Sequence, residues 1–489
     1  MPEIEAEAAL RALLLSRSPP ASVARELWSC NGGTYEAYRT CLLGRKQRAA
    51  AAPARAAAED GAARASRAAA APNSLPATVK YSFEGVKHVL AEATAAVTVL
   101  AFASLRNDLL AFGCSDGELW VVALPPDASA NAPPACTKAR RMHAQAVSAL
   151  DWSFNNDQLL SAGCDGSLCV WDASDPAAVD CIRSISVPTT AFLCARFNKV
   201  NFSLAMVGTS AGGLDVYNCS TGMLHSRYQV TAAHSGVQVT ALDSSNHHLF
   251  LGDSAACLHM YTAELHGRQL ARLRPASRLR LCPGAAPLPA VSTLQFVPFC
   301  RATDSPVLLA ALQDGALCIV KANEARHTAE LHLRRHVPPP GSAAPSASGP
   351  SFSVAASAAS VASAGAPSAS SSAAAAASLQ VLRLLRPSVC PLSVIHDVPL
   401  ITYGSDDTCV YIVDVSARSY SAGLGRAGAV AAAATGGAAA AAADRPMTVT
   451  VLKAHRAPVT SVSWSFDEAL LASADADGAV VVWQRCRLF

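Results

Sequence analysis

Short runs of this chain alternate between apolar and polar positions with a period of two, and turn residues separate them. Val147 to Asp172 reads "VSALDWSFNNDQLLSAGCDGSLCVWD". A β-branched run ends on an aromatic residue and a turn. Then come "LLSAG", a tight turn holding Asp165, and a second alternating run. This period predicts half-buried strands, not helices. The same pattern recurs from Val97 and Val459, and in weaker form from Ala191, Val239, Val291 and Leu382. Its tight turns centre on Asp116, Asp165, Ala211, Ala255, Asp314, Asp407 and Asp477.

A four-stranded propeller blade takes about 40–45 residues, and the first four steps between these turns fit one blade each plus loops. The last two steps are longer because they contain low-complexity sequence. Residues 338–378 are Pro/Ser/Ala-rich, and residues 416–445 include "AAAATGGAAAAAA". Neither stretch has the large apolar groups needed to offset the entropy of ordering, so both are expected to be disordered insertions. Seven copies predict an all-β fold, a seven-bladed β-propeller over residues 79–489. The last copy ends at Phe489 after three strands. The segment at 79–90, "VKYSFEGVKHVL", reads as a strand and is expected to supply the missing outer strand. Closing the ring this way leaves no long unpaired edge. Ahead of the ring, residues 1–43 form a weakly helical N-terminal extension and 44–78 an Ala/Arg-rich disordered linker.

Composition narrows the function classes. The formal net charge is +3 and 15% of residues are charged, which does not call for a nucleic-acid polyanion as partner. The N-terminus carries Glu3, Glu5 and Glu7 where a signal peptide is basic. Outside alanine runs the chain has no apolar stretch of about 18 residues, so no membrane span is expected. The 16 cysteines show neither C-x-x-C spacing nor a zinc pattern with histidines. Scattered thiols of this kind suit a reducing compartment, as small buried hydrophobes.

Five stretches invite sharper chemistry. Cys164, Asp165, Cys169 and Asp172 crowd into one segment. Strand alternation puts Cys169 and Trp171 on one face and commits Asp165 to a turn, so a structural role is expected rather than a metal site. "GLGRAG" (423–428) matches a dinucleotide fingerprint in letters, but no strand and helix flank it. The Arg/Leu alternation of 268–280, with Arg268, Arg272, Arg274, Arg278 and Arg280, reads as an outer strand with one solvated face; an acidic-partner groove is the alternative. His247 and His248 are expected in a turn. "GRKQR" (44–48) is a weak nuclear-import pattern or a solvated linker. No P-loop, H-E-x-x-H or G-x-S-x-G motif is present, and no convergent titratable groups are expected in the channel. The chain is therefore read as non-enzymatic, with no cofactor and no metal.

Two copies share a further constellation with identical spacing: His143, Asp165 and Trp171, and His455, Asp477 and Trp483. The copies resemble WD repeats. That resemblance implies that the His precedes the innermost strand, the turn Asp orients its ring, and the Trp indole donates into the same network. Family members often place Ser or Thr eight residues before the Trp. Gly163 and Asp475 stand there instead, which leaves open a shifted network, one using Ser161 and Ser473, or an incomplete one. Trp120 is out of register, and Val122 takes the Trp position in its copy.

Across the chain the resemblance narrows to the WD repeat-containing protein 13 family. It rests on "YEAYRT" (35–40), "YSFEGVKHVL" (81–90), the blade segments at 147–174 and 455–483, and "CARFNKVNFSLAMVGTS" (194–210). It implies a scaffold of nucleus and cytoplasm that joins chromatin-corepressor or receptor assemblies as a monomeric propeller. A substrate receptor or cargo adaptor of ubiquitin or trafficking machinery is the alternative. Partners are expected on the top face, where the Asp turns and the His-bearing connections emerge, with Gln145, Ser235 and Arg456 as candidate contacts.

Overall fold

The computed structural model describes residues 81–486, apart from 126–132, 232–235, 283–287, 337–385, 392–398, 419–445 and a few single or paired loop residues. The N-terminal extension, the 44–78 linker and most of both insertions therefore lie outside the described residues.

Strand β1 (Phe83–Leu90) comes first in the chain but belongs to the last blade. Blade 1 is β2 (Val97–Phe102), β3 (Leu109–Cys114), β4 (Leu119–Ala123) and β5 (Ala135–Lys138). Blade 2 is β6 (Val147–Trp152), β7 (Gln158–Gly163), β8 (Ser167–Asp172) and β9 (Asp180–Ser186). Blade 3 is β10 (Phe192–Phe197), β11 (Leu204–Thr209), β12 (Gly213–Asn218) and β13 (Leu224–Gln229). Blade 4 is β14 (Val239–Ser244), β15 (His248–Asp253), β16 (Cys257–His266) and β17 (Gln269–Arg280). Blade 5 is β18 (Val291–Cys300), β19 (Ser305–Leu312), β20 (Ala316–Asn323) and β21 (Thr328–His336). Blade 6 is β22 (Ser388–Val389), β23 (Leu400–Gly404), β24 (Cys409–Arg418) and β25 (Pro446–Lys453). Blade 7 is β26 (Val459–Trp464), β27 (Leu470–Asp475), β28 (Val480–Arg485) and, at its outer edge, β1. Each blade is one four-stranded antiparallel sheet, so the fold is an all-β, seven-bladed propeller.

The core lies between the blades. One apolar wedge joins blades 1 and 2 around Val147, Trp152, Cys169 and Trp171. Another joins blade 7 to blade 1 around Leu90, Val97, Phe112 and Val480, which closes the circle. The sheets approach so closely that a Cβ on Gly113 would meet Val147 at 2.6 Å, and one on Gly404 would meet Val459 at 2.5 Å. Only glycine leaves room for that approach. The "VT" openings of three inner strands stitch neighbouring blades together. The Thr98 hydroxyl reaches the Val147 carbonyl at 2.5 Å, Thr240 reaches Val291 at 2.6 Å, and Thr460 reaches Val97 at 2.6 Å.

β1 pairs antiparallel with β28, Leu90 opposite Val480 and Val86 opposite Trp483. A side-chain clasp backs this pairing. Tyr81 donates to Glu468 at 2.9 Å, Arg485 pairs with the same carboxylate, and the Arg485 guanidinium lies 4.5 Å from the Tyr81 ring centre. Burial, then the Glu468 charge, pushes the Tyr81 phenol far above its ordinary range, so it stays a donor.

Two sequence expectations meet different outcomes on blade 4. Arg272, Arg274, Arg278 and Arg280 are exposed on the outer strand β17 while Leu273 is buried; Arg268 lies outside the described residues. His248, however, is not a turn residue. It opens β15, is buried, and its Nε2 lies 2.9 Å from Nδ1 of His327 on the next blade. The bend ends one residue earlier, at His247.

Candidate interaction faces and the blade networks

Antiparallel order sorts the loops. The turns after each first and third strand lie at one end of the ring. The second-to-third turns and the inter-blade connections share the other, here called the top. Accordingly a Cβ on Gly117, in the tight turn of blade 1, would strike the carbonyls of His143 and Gln145 in the connection to blade 2.

In blade 7, Trp483 donates to Ser473 Oγ at 2.8 Å, and Ser473 meets His455 Nε2 at 2.6 Å. His455 Nδ1 lies 2.9 Å from Asp475. In blade 2, Trp171 donates to Ser161 at 2.8 Å, and Ser161 meets His143 Nε2 at 2.7 Å. There Nδ1 meets Ser167 Oγ at 2.5 Å, and Ser167 donates to Asp165 at 2.5 Å. Ser161 and Ser473 thus fill the hydroxyl role. Read from the indole inward, every donor has an acceptor if each imidazole carries its proton on Nδ1, which is what such a buried network requires.

Asp477 corrects the sequence reading. It is exposed and does not face His455; the acid two residues earlier, Asp475, does. The reason is a competition that recurs in all seven blades. The amide that closes the tight turn is capped from one of two positions. Thr209, Asp253 and Asp475 cap it from the residue two before the turn position. Where that residue is Cys114, Gly163, Leu312 or Ser405, the turn residue caps it instead: Asp116, Asp165, Asp314 or Asp407. Equal spacing made Asp165 and Asp477 look equivalent, but Asp475 pre-empts the site. The missing side chain at Gly163 makes room in blade 2, where a Cβ would lie 2.4 Å from Asp165 Oδ1 and 2.7 Å from His143 Nδ1. Burial pushes the Asp165 carboxyl up. Hydrogen bonding to His143, Ser167 and the Ala144 amide outweighs that and brings it down to about 2.

The innermost strands surround a central channel of about 640 Å³. Contrary to the sequence expectation, titratable groups do converge there. Arg196 pairs with Asp151 at 2.8 Å and Lys199 with Asp243 at 2.9 Å. Both carboxylates also take an amide of the next inner strand, Asp151 from Phe197 at 2.8 Å and Asp243 from Phe296 at 2.6 Å. Their first task is thus to cap strand edges that face the channel. Arg386, on blade 6, reaches across to the Ser148 carbonyl of blade 2 at 2.6 Å, and its Nε has no partner among the described residues. Burial, with the Arg196 charge, lowers Arg386 to about 10.

At the bottom mouth of the channel, Phe154 and Phe202 stack with ring centres 6.0 Å apart, 44% and 39% exposed. Lys199 and Arg196 stand in the same mouth with half-exposed side chains. No signal in the periodicity marked these residues, because adjacent blades bring them together. At the top, Arg456 is exposed and Gln145 half-buried, each beside its blade histidine, while Ser235 lies outside the described residues. No group of three or more His, Cys, Asp or Glu that could hold a metal occurs among the described residues. No described helix is long and apolar enough to cross a membrane.

Comparison with known proteins agrees with this geometry. The family described as WD domain, G-beta repeat, matches residues 135–172 and 447–484. Those are the segments β5–β8 and β25–β28, which carry the two complete His–Ser–Trp networks. Among solved structures, the β-propeller domain of Cps50 (Swd1) from Myceliophteria thermophila superposes with a TM-score of 0.52 at 14% identity. The match covers 82% of this chain and 99% of that one, a likeness of fold.

Proposed function

We propose that this WD-repeat propeller is a non-enzymatic scaffold that holds other proteins together, and that its bottom channel mouth receives an extended acidic segment with an apolar anchor. The observation that carries the reading is the exposed Phe154–Phe202 stack beside Lys199 and Arg196. Among the described residues most other large aromatics pack in or against the blade wedges. Solvent-facing aromatics rimmed by cations are the composition of interface hot spots. The channel lining holds three cations, Arg196, Lys199 and Arg386, against two carboxylates, Asp151 and Asp243, which favours an acidic partner. The top-face loops with Gln145, Ser235 and Arg456 form a second contact surface in this reading.

The resemblance to the WD repeat-containing protein 13 family supports work in nucleus and cytoplasm, within chromatin-corepressor or receptor assemblies. Its most specific described piece, "YSFEGVKHVL", spans the strand that closes the ring. A substrate receptor or cargo adaptor is the competing assignment. Proximity labelling of the tagged full-length chain, with imaging of its location, separates the two. Affinity purification of Phe154→Ala, Phe202→Ala and Arg456→Ala variants then locates the contact. Each Phe truncation should weaken the principal complex by about 1–2 kcal/mol, roughly 5- to 30-fold in Kd. A complex that survives both Phe truncations and is lost with Arg456→Ala would move the site to the top face.

A further inference from the structure

Spacing along the chain leaves Cys169 without a thiol partner, but the fold supplies one. On strands β8 and β9, Cys181 stands opposite Trp171 and Ser184 opposite Cys169, with a bulge between the two pairings. Directly opposite residues share a face, and so do Cys169 and Trp171. Cys181 and Cys169 are therefore diagonal neighbours on one face of blade 2. Cys169 donates to Ser184 Oγ at 3.6 Å, Cys181 to the Arg183 carbonyl at 3.4 Å, and both side chains belong to the wedge between blades 1 and 2. Burial separates them: Cys169 is wholly inaccessible, while Cys181 is partly exposed on the outer strand.

We propose that Cys181 is a peroxide-reactive thiol and Cys169 its resolving partner, the two closing a reversible disulfide across the outer edge of blade 2. The chemistry follows from the asymmetry. The neighbouring Cys169 thiol, helped by the Arg183 backbone and the Arg140 charge against the opposing effect of burial, lowers Cys181 to about 7. The thiolate is the nucleophile, so Cys181 is available at neutral pH, whereas Cys169 is held well above the usual thiol range and stays protonated. Another half-buried thiol, Cys136 on the wedge between blades 7 and 1, is pushed up to about 12 by burial and then Glu92.

In the first step the Cys181 thiolate attacks one oxygen of hydrogen peroxide. The O–O bond breaks, and the departing hydroxide takes a proton and leaves as water. Cys181 becomes a sulfenic acid. In the second step Cys169 gives its proton to the sulfenic hydroxyl and its sulfur attacks Cys181. The S–O bond breaks, an S–S bond forms, and a second water leaves. Two thiols lose two electrons and one peroxide becomes two waters. An external dithiol reverses the bridge by exchange.

The test uses the full-length protein. Alkylation of Cys181, followed by peptide mass spectrometry across pH, should show a midpoint near 7 and a rate above those of Cys136, Cys282 and Cys486. Stoichiometric peroxide should yield a Cys169–Cys181 linked peptide that dithiothreitol removes. Cys169→Ala, which removes the neighbouring donor, should raise the midpoint toward the ordinary thiol value of about 8.5 and slow alkylation at pH 7 by roughly five- to tenfold. It should also leave a sulfenic acid on Cys181 that dimedone traps. Cys169→Ser, which keeps a donor but cannot bridge, should hold the midpoint near 7 without forming the linked peptide, and melting temperatures of both variants checked against wild type guard against a folding artefact. Three results would overturn the proposal: a midpoint unmoved by Cys169→Ala, a wild-type Cys181 that oxidises without forming the linked peptide, or a Cys181 no faster than the three comparison thiols.

Discussion

The two complete blade networks solve one problem in two ways, and the difference can be tested by transplanting one solution into the other blade. Asp475 is 1% exposed and accepts from His455 Nδ1, Asp477 N and Ala479 N at 2.9, 3.1 and 2.9 Å. Asp475→Gly removes all three acceptors. The Asp477 amide lies in an exposed turn and can turn to water. The His455 and Ala479 N–H groups cannot do so as easily, and each orphaned buried donor costs about 1–3 kcal/mol. With the added backbone freedom of glycine, the expected loss is about 3–6 kcal/mol. Blade 2 shows the remedy, since glycine at this position is tolerated when a serine stands where blade 7 has Ala479, and Asp165 completes the relay. Blade 7 already has an acid, Asp477, in the Asp165 position. Asp475→Gly with Ala479→Ser should therefore recover about half of the loss, as two restored hydrogen bonds require. The assay is chemical and thermal unfolding at matched scan rate for the wild type, both single variants and the double variant, read as a double-mutant cycle. Ala479→Ser alone should be close to neutral. An Asp475→Gly protein that melts with wild type, or a double variant no better than the single, would refute the relay reading.

Three further outcomes follow from the same contacts. Trp483→Ala should destabilise by about 3–5 kcal/mol, since it empties a packed site and strands the Ser473 hydroxyl; calorimetry checks this. Asp165 is held near 2, below its unfolded value of 3.8, so its contribution is present at neutral pH and fades as the pH falls from about 4 through 2. The gap between wild type and Asp165→Asn, about 2 kcal/mol at pH 7, should close over that window in acid titrations followed by fluorescence. Tyr81→Phe should cost about 1–2 kcal/mol, because Glu468 loses a buried donor and the closing clasp slackens; a hydrogen-exchange difference confined to β1 and β28 would locate the effect.

Much of the ring was legible in the sequence because each blade repeats a local code. Alternation marks the strands, glycine and aspartate mark the turns, and the "VT" openings recur where an inner strand bonds its neighbour. The closing strand was legible for a different reason: the last copy was one strand short, and an unpaired edge is costly enough to look for. Where the reading slipped, two side chains competed for the same group. Equal spacing placed Asp477 on His455, yet the capped amide can be reached from two positions, and Asp475 lies nearer in the chain and points inward. Spacing records where a residue stands, not which acceptor arrives first.

The surfaces were the least legible part, for a reason rooted in the architecture. A blade's own code describes contacts within about 40–45 residues, whereas Phe154 meets Phe202 only across a blade boundary, and Arg386 meets Ser148 only across the ring. The same limit hid the Cys169–Cys181 pair, since a search along the chain for C-x-x-C tests neighbours in sequence while a sheet offers neighbours across the ladder. In a propeller the blade repeat therefore reports on stability. The residues available for binding or redox chemistry lie where the repeat is interrupted, in strand-end loops, at bulges and across blade boundaries. A search for function in such a chain should begin from side chains that no blade network uses, and by that criterion Phe154, Phe202 and Cys181 come before any of the recurring histidines.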